Sequence, residues 1–338
     1  METLSANFED ALTRIELRGE RARLAQAAHL ETRQVLEEST ALKKWGVDSV
    51  LIGSYARGTT IFPGKDVDVF AKLSGLDIQA SPQNVFTTVH EVLLAKYGKE
   101  RIEPHRRSIR VKFDFPKEGE TFSIDVVPAV RWEKRWGIPA GDRALWEAAE
   151  HPRRWMQTDP EKLAKLTTQR NSRLQVDGRG VYVPLVKLVK QIREQHLSEN
   201  KPGGLYAELM IYWAFEQKIE EKSFAELLAA GLSSVAHQLQ QAVTQPLRDP
   251  VLERPFDPQP SAAELSKAAI VFDGLAKDAA RALTLTRCPA AAIWRRILGK
   301  NDRGWCFPLP DGCDETGREL TPVIAVKSRG SEEAHSFA

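Results

Sequence analysis

The segment LIGSYARGTTIFPGKDVDVFAKL, residues 51–73, constrains the fold of this chain more than any other. It contains a Gly-Ser pair, Gly53 and Ser54, followed by Asp66 and Asp68 with one valine between them. Because side chains alternate between the two faces of a strand, both carboxylates lie on one face, about 6–7 Å apart along the strand. Two like charges placed in this way repel each other, so the pattern requires either free solvent or a bound cation.

Short apolar segments around these aspartates predict the strands of a mixed sheet. DSVLIG (48–53) and DVDVFAKL (66–73) predict two strands, and SIRVKFDF (108–115) with TFSIDVVPAV (121–130) predicts a hairpin closed by a KEGE turn. Asp125 lies on the second strand of that hairpin, on the face opposite its apolar neighbours. Three carboxylates on neighbouring strands are therefore expected to converge.

Apolar residues at helical spacing surround the predicted sheet. Residues 7–40 predict one long helix, or two helices separated at Gly19, and Ser81-Pro82 begins a helix that Gly98 ends. The chain is predicted to be mostly helical after Asp159, with helices at 160–172, 184–197, 204–220, 223–230, 232–243, 261–285 and 289–298. We therefore expect an α+β protein in which a ligand cleft separates a mixed sheet from a helical half.

The composition argues against several classes of protein. A formal net charge of +2 over 338 residues gives no overall sign of a nucleic-acid-binding surface. No apolar stretch approaches the length of a membrane span and the N-terminus lacks the pattern of a secretory signal, so we expect a cytoplasmic protein. Cys288, Cys306 and Cys313 are odd in number and lack zinc spacing, so unlinked thiols are expected rather than a disulfide framework.

The carboxylates and the Gly-Ser pair together predict a site for a triphosphate and its metal ions. A glycine lets backbone amides approach a phosphate closely, and the turn that follows can form an anion-binding nest. Mg²⁺ prefers oxygen ligands and shares its coordination with substrate phosphates. Two such ions can activate an attacking hydroxyl and stabilise the departing oxygen of a phosphoryl displacement. An isolated Asp-Val-Asp is more often a solvated strand face, but the upstream Gly-Ser pair favours the binding site.

GSYARGTTI, DVDVF and SIDVVPAV together resemble the signature of DNA polymerase beta-like nucleotidyltransferases, and within that superfamily the bacterial CD-NTases. These are relatives of cyclic GMP-AMP synthase and oligoadenylate synthetase that join nucleoside triphosphates into cyclic di- or trinucleotide signals in anti-phage CBASS operons. The resemblance continues through WMQTDPEKLAKLTTQRN, VPLVKLVKQIREQH, GGLYAELMIYW and the late WRRILGKNDRGWCFP. It implies a polymerase beta-like core with a long N-terminal helix at 1–158, a helical domain closing the nucleotide cleft at 159–325, and a flexible tail at 326–338.

The resemblance also implies roles for the residues of the opening segment. Gly53 and Ser54 match the turn that holds the donor triphosphate. Asp66 and Asp68 match the carboxylates that carry two Mg²⁺ ions, with Mn²⁺ as another possibility. Asp125 matches the third carboxylate, which shares in metal binding and helps to activate the acceptor hydroxyl.

Further positions in the helical half match residues that bind nucleotide in relatives. Lys187 and Lys190 match basic residues that meet the triphosphate, and Tyr206 matches an aromatic residue that stacks on the donor base. For the lysines a solvated helix stripe remains an alternative, and for Tyr206 a core position. Asn171 lies where relatives carry a polar residue near the base, although a helix-surface asparagine fits the pattern equally well.

A locally basic segment, residues 99–117, has two interpretations. Its cations, Arg106, Arg107, Arg110 and Lys112, can hold nucleotide phosphates or an RNA. They are also typical of a solvent-facing strand edge that is protected against pairing with another chain. The second interpretation is favoured, because no other feature of the chain indicates a nucleic-acid surface.

Three functions are consistent with these features. The first is synthesis of a cyclic oligonucleotide from nucleoside triphosphates, with ATP expected among them. The second is transfer of a nucleotide to another acceptor, such as an RNA 3′ end, a small molecule or a protein. The third is a non-catalytic binding scaffold, which the presence of all three aspartates disfavours. The resemblance adds two classes of partner, an operon-encoded regulator and a conjugation system acting on the small-residue C-terminus at Ala338.

Overall fold

The structure is a computed structural model of the chain, and it describes residues 4–115, 120–147, 151–197, 201–216 and 222–320. The predicted KEGE turn lies largely outside the described residues, and the predicted tail at 326–338 lies wholly outside them. None of the helices within these ranges is both long enough and apolar enough to span a membrane.

The N-terminal helical pattern folds as separate helices, α1 (Ser5–Ile15) and α2 (Glu20–Glu38), followed by a short α3 (Thr40–Lys43). Gly19 separates the first two, and its φ of 70° lies in the left-handed region that favours glycine. The chain therefore breaks at the glycine that the sequence indicated.

A seven-stranded mixed sheet forms the centre of the first half. Its strands are β1 (Val47–Ile52), β2 (Asp66–Asp77), β3 (Ile102–Pro104), β4 (Ile109–Phe115), β5 (Glu120–Trp132), β6 (Arg135–Pro139) and β7 (Trp155–Thr158). The order β1-β2-β5-β4-β3 runs across the sheet, and β6 pairs with both β5 and β7. β2 and β5 are parallel and the other neighbours are antiparallel, so the predicted hairpin pairing of β4 with β5 is confirmed.

Three helices connect these strands, namely α4 (Gly53–Ala56), α5 (Pro82–Tyr97) and α6 (His151–Arg154). The start of α5 is capped by the Ser81 side chain, which accepts a hydrogen bond from the Asn84 amide, and the helix ends at Gly98. Both ends therefore follow the capping chemistry that the sequence predicted.

The second half is helical, with α7 (Pro160–Arg173), α8 (Tyr182–His196), α9 (Gly204–Ala214), α10 (Phe224–Ala242), α11 (Ala262–Ala282) and α12 (Arg287–Leu298). Two small ribbons accompany them, β8 (Gln175–Val176) with β9 (Arg179–Gly180), and β10 (Lys300–Asn301) with β11 (Gly304–Trp305). The predicted α+β class, with a mixed sheet followed by a helical half, is confirmed.

Two helix boundaries differ from the prediction. The helices predicted at 223–230 and 232–243 are one continuous helix, α10, through Gly231. Gly231 is buried within α10, and a Cβ there would lie 3.4 Å from Ile211 Cδ1, an ordinary van der Waals distance, so the position packs against α9 without requiring a glycine. The tertiary packing of α10 outweighs the weak helix propensity of this one glycine. The helix predicted to reach residue 220 ends at Ala214, and residues 217–221 lie outside the described part of the chain.

Helix α1 packs into the helical half rather than against the sheet. The Phe8 ring makes edge-on contacts with Phe224, Trp294 and Phe307 at centroid distances of 5.4, 5.2 and 5.0 Å. Helix α2 instead contributes buried residues to the core beside the sheet. The chain thus passes from the helical core to the sheet core near Gly19. The domain boundary predicted between residues 158 and 159 is a separate point and remains a prediction.

The expectation of unlinked cysteines is wrong for two of the three. Cys288 and Cys313 form a disulfide, with their Cα atoms 5.3 Å apart. The chain after α12 returns to the start of that helix and brings the two sulfurs together across 25 residues, which no spacing pattern in the sequence indicates. Cys306 is a free buried thiol, and burial raises its pKa to about 11.

Candidate active site

The parallel pairing of β2 and β5 brings the three predicted carboxylates together. Asp68 and Asp125 lie directly opposite each other in the register, and Asp66 lies opposite Ser123. Ser123 Oγ donates a hydrogen bond to Asp66 Oδ1 at 2.7 Å. Val67 and Val69 are fully buried on the other face of β2, so the hydrophobic effect fixes the register that directs the aspartates away from the core.

A cation from β4, Arg110, lies among these carboxylates. Its guanidinium donates hydrogen bonds to both oxygens of Asp125, at 3.0 and 3.1 Å, and its Nη2 lies 3.5 Å from Asp66 Oδ1. The favoured interpretation of the basic segment as a solvent-facing strand edge is therefore wrong at this position. β4 is paired on both sides, by β5 and β3, and the register of β4 against β5 sets Arg110 directly opposite Asp125 on the same face of the sheet.

The charges at this site are unevenly balanced. Burial, together with the neighbouring Asp125 and Asp66, raises the pKa of Asp68 to about 6, against the opposing effects of Arg57 and Lys190. A buried carboxylate beside two others has an excess of negative charge that a bound cation would neutralise. The donor set of this site therefore suits a hard divalent ion.

The carboxylates do not form a closed metal site in this conformation. Among the described residues, no group of three His, Cys, Asp or Glu side chains is arranged to hold a metal ion. Arg110 engages Asp125 through both of its oxygens, which leaves that carboxylate committed to a protein cation. A metal ion and Arg110 would therefore compete for the same oxygens.

The Gly-Ser turn lies directly against Asp68. Gly53 has a φ of 69°, and a Cβ at this position would lie 1.9 Å from Asp68 Oδ2. Only glycine satisfies both the left-handed backbone and this close approach. The Ser54 carbonyl accepts a hydrogen bond from the Thr59 amide at 2.9 Å, and Ser54 Oγ accepts one from Thr60 Oγ1 at 2.9 Å. The turn is thus closed by its own hydrogen bonds beside the second aspartate.

A buried carboxylate that the sequence analysis missed, Glu208 of α9, joins this turn to the helical half. Arg57 donates to both Glu208 oxygens, at 2.8 and 3.2 Å, and Thr59 Oγ1 donates to Oε1 at 2.8 Å. Lys190 Nζ also donates to Glu208 Oε1, and it donates to the Thr59 carbonyl at 3.1 Å. The only signal in the sequence was that Glu208 is the single charged residue of α9.

The Glu208 network carries a net charge of one positive unit. Burial by itself would raise the pKa of Glu208, but the positive charges of Arg57 and Lys190 lower it to about 2, so the carboxylate is ionised. Burial lowers the pKa of Lys190, and Glu208 opposes that change. Two cations and one anion therefore present a positive wall to an anionic ligand.

The structure does not bring the other predicted residues to the carboxylates. Lys187 Nζ forms an ion pair with Glu16 at 2.7 Å. Tyr206 is buried in the core of the helical half, where its ring lies 5.9 Å from that of Phe256. Asn171 Oδ1 accepts a hydrogen bond from the Val183 amide at 3.0 Å, which ties α7 to the start of α8. Nucleotide-binding roles for Lys187 and Tyr206 remain predictions.

A cleft of about 490 Å³ lies between the sheet and the helical half. Its walls include Gly53, Ser54 and Asp68 on one side and Lys190 and Glu208 on the other. A third wall comes from the proline-rich joint between α10 and α11, which contributes residues between 249 and 258. A cavity of this size accommodates a nucleotide. No pattern in the sequence indicates that the joint lines this cleft.

Comparison with known proteins places the chain in a family. Residues 1–171 match the family model of the Second Messenger Oligonucleotide or Dinucleotide Synthetase domain. Because the match spans half of the chain, the protein belongs to this family, and the predicted relationship to the CD-NTases is confirmed.

Individual relatives agree with this assignment. The chain is 28% identical over 314 residues to a cyclic AMP-AMP-AMP synthase from Acinetobacter sp. (strain ATCC 27244 / 9458), covering 88% of this chain and 84% of the relative. The fold is similar to the CD-NTase CdnG of Bradyrhizobium diazoefficiens in complex with GTP (TM-score 0.66, 18% identity, 88% of this chain and 95% of that one). It is also similar to CdnC in the E. coli MS115-1 CdnC:HORMA-deltaN complex (TM-score 0.61, 15% identity, 86% and 95%).

The close approach at Gly53 predicts a large effect of one added methyl group. In Gly53→Ala the new Cβ would collide with Asp68 Oδ2, so we expect nucleotide turnover to fall by at least about tenfold and the melting temperature to drop. Gly19→Ala is the matched control, because Gly19 has nearly the same φ of 70° but nothing within 4 Å of its Cβ position. It should lose only about 1–2 kcal/mol through backbone strain and keep its turnover. Equal losses of turnover in both variants would refute the explanation.

The Arg110 contacts predict that this residue competes with a metal ion. We expect Arg110→Gln to destabilise the metal-free protein by about 1–3 kcal/mol, because it removes charged hydrogen bonds to Asp125. Added Mg²⁺ or Mn²⁺ should then raise the melting temperature of the variant more than that of the wild type. Lys112→Gln on the same strand is the control, since the Lys112 ammonium forms an exposed ion pair with Glu103, which contributes little to stability. Equal stabilisation of Arg110→Gln and wild type by the metals would rule out competition.

Proposed function

We propose that this protein joins nucleoside triphosphates into a cyclic di- or trinucleotide second messenger and releases pyrophosphate. The observation that carries the proposal is the pairing of Asp68 with Asp125 across two parallel strands, beside the Gly53-Ser54 turn, at a cleft of nucleotide size. Family membership supports the reaction class. The Acinetobacter relative, a cyclic AMP-AMP-AMP synthase, favours ATP as a substrate and a ring of three nucleotides.

In this reaction the chain acts mainly by positioning and charge. Asp66, Asp68 and Asp125 would hold Mg²⁺ or Mn²⁺, which when bound would activate the attacking 3′-hydroxyl and neutralise charge on the phosphates. The Gly53-Ser54 turn would bind the donor triphosphate next to these carboxylates. Fixing the donor α-phosphate close to the acceptor hydroxyl converts an encounter in solution into a reaction within one complex.

Lys190 would act on the triphosphate through its charge. Its ammonium group already donates to Glu208 and to both the carbonyl and the hydroxyl oxygen of Thr59, so its hydrogen-bonding capacity is used within the protein. The surplus positive charge of the Glu208 network would still attract the phosphates across the cleft. Each round of nucleotide transfer releases pyrophosphate. In the last round the 3′-hydroxyl of the linear oligonucleotide attacks the α-phosphate at its own 5′ end, which closes the ring.

The biological setting follows from the same proposal. Anti-phage defence and a cytoplasmic location would suit a family of second-messenger synthetases, because nucleoside triphosphates are abundant in the cytoplasm. The complex of the E. coli relative CdnC with HORMA-deltaN favours an operon-encoded protein as the regulator of this chain as well. Conjugation of the C-terminus is a further proposal, and the residues involved lie outside the described part of the structure.

Product analysis tests the proposed reaction. Incubation of the wild type with all four nucleoside triphosphates and Mg²⁺ or Mn²⁺ should give products that resist phosphatase and have the mass of a cyclic oligonucleotide. Asp66→Asn combined with Asp68→Asn should abolish pyrophosphate release, because it removes two of the three anionic ligands. Asp114→Asn, at an exposed position on the neighbouring strand β4, should retain full turnover.

Two outcomes would contradict the proposal. Turnover by the double Asp→Asn variant would show that the carboxylates do not carry the chemistry. Products of the wild type that remain sensitive to phosphatase would instead indicate transfer to an open acceptor, such as an RNA 3′ end, a small molecule or a protein.

A further inference from the structure

The late sequence motif WRRILGKNDRGWCFP contributes none of the described residues that line the cleft. Its second half contains the β10–β11 hairpin, which is attached to the end of α1. Asn301 Nδ2 donates a hydrogen bond to the Arg14 carbonyl at 3.2 Å, and Arg14 Nη1 donates one to the Trp305 carbonyl at 2.9 Å. Arg303 lies in the turn between the two strands, so the hairpin gives this arginine a defined place beside α1.

The end of α1 also contacts the loop that leads into β2. This loop, residues 59–65, follows the Gly-Ser turn, and we call it the Phe62 loop. The Phe62 amide donates a hydrogen bond to the Ile15 carbonyl at 2.7 Å, and Ile61 pairs with Glu16 in an isolated antiparallel bridge. The Phe62 side chain is only 9% exposed. The middle of the loop is therefore held by the segment that follows α1.

Arg303 contacts both sides of this junction. Its guanidinium carbon lies 3.9 Å from the centre of the Phe62 ring, and its Nη1 donates a hydrogen bond to the Glu16 carbonyl at 3.0 Å. Arg21 of α2 approaches the same ring at 5.1 Å. A guanidinium is attracted to the electron-rich face of an aromatic ring. Arg303 thus joins the Phe62 loop to the hairpin of the late motif.

The position of Asp66 depends on the Phe62 loop. Asp66 is the first residue of β2, and its side chain is 61% exposed, so packing does not fix it. Asp68 instead lies against the Gly53 backbone. Ser123 links Asp66 to the loop, because its hydroxyl donates to Asp66 Oδ1 and its amide donates to the Lys65 carbonyl, both at 2.7 Å. A shift of the loop would therefore move one carboxylate relative to the other.

We propose that Arg303 is a positioning residue for Asp66, which acts through Phe62 and sets the affinity of the site for its metal ion. The proposal rests on the proposed function, in which Asp66 and Asp68 hold that ion. Carboxylates bind a small divalent ion well only when their oxygens are held at the required distances from it. Loss of Arg303 would therefore weaken metal binding although every ligand is still present.

Hydrogen exchange tests the contact without requiring turnover or a metal ion. In Arg303→Ala, peptides that span the Phe62 loop should exchange about tenfold faster or more, because the loop opens more often, whereas α5 should exchange as in the wild type. Arg296→Ala is the charge-matched control, since Arg296 is an exposed arginine of α12, and it should leave the loop unchanged. Arg303→Lys keeps a cation for the ring and should restore most of the protection.

Metal titration tests the link between the loop and the site. The Mn²⁺ concentration that gives half of the maximal rise in melting temperature should increase by about tenfold in Arg303→Ala, and so should the concentration that gives half-maximal turnover. Turnover at saturating Mn²⁺ should stay within about twofold of the wild type, because the ligands themselves are intact. A merely structural role would lower the melting temperature and the turnover without changing the metal requirement.

Unchanged exchange of the Phe62 loop in Arg303→Ala would overturn the proposal, and so would faster exchange with an unchanged Mn²⁺ requirement. If Arg303→Ala fails to fold, Arg303→Gln repeats both measurements, because its amide can still donate to the Glu16 carbonyl while the charge over the ring is lost. A change of about threefold is then expected, and no change would overturn the proposal. A wild type that makes no oligonucleotide would refute the proposed function, whereas hydrogen exchange and the thermal titration would still decide the role of Arg303.

Discussion

The buried carboxylate of Glu208 is the interaction on which the rest of the site depends. It is held by Arg57 and Thr59 from the turn after β1 and by Lys190 from α8, so one side chain joins the sheet to the helical half. A buried charge is tolerated only when it is paired and hydrogen-bonded, and removal of one partner leaves the others uncompensated. The network therefore fixes the separation of the two halves, and with it the shape of the cleft that contains Asp68.

Charge balance links this network to the proposed chemistry. On the sheet, the negative charges of the three carboxylates outnumber the positive charge that Arg110 brings to them. Around Glu208 the balance is reversed, because Arg57 and Lys190 carry two positive charges against one carboxylate. A triphosphate accompanied by metal ions suits both imbalances, because the metals would complement the aspartates and the phosphates would complement Arg57 and Lys190. Electrostatic complementarity thus links the two sides of the cleft.

Local patterns were sufficient to predict four of the seven sheet strands (β1, β2, β4 and β5), the caps of α5 and the aspartates, because each depends on residues close together in the sequence. They did not predict β3, β6 or β7. The bond between Arg110 and Asp125 could not be predicted, since it requires the register of β4 against β5. Glu208 was missed because its partners Thr59 and Arg57 lie 149 and 151 residues away from it in the sequence. The Cys288–Cys313 disulfide likewise depends on the return of the chain over α12. Long-range contacts therefore account for most of what the sequence did not reveal.

A double-mutant cycle between Arg57 and Glu208 tests the central role of this network most directly. Urea unfolding of the wild type, Arg57→Gln, Glu208→Gln and the double variant gives the coupling energy between the two side chains. If Glu208 joins the halves through a buried charge pair, the coupling energy should be about 1.5 kcal/mol or more. A value below about 0.5 kcal/mol would show that the two residues act independently, and it would contradict the account.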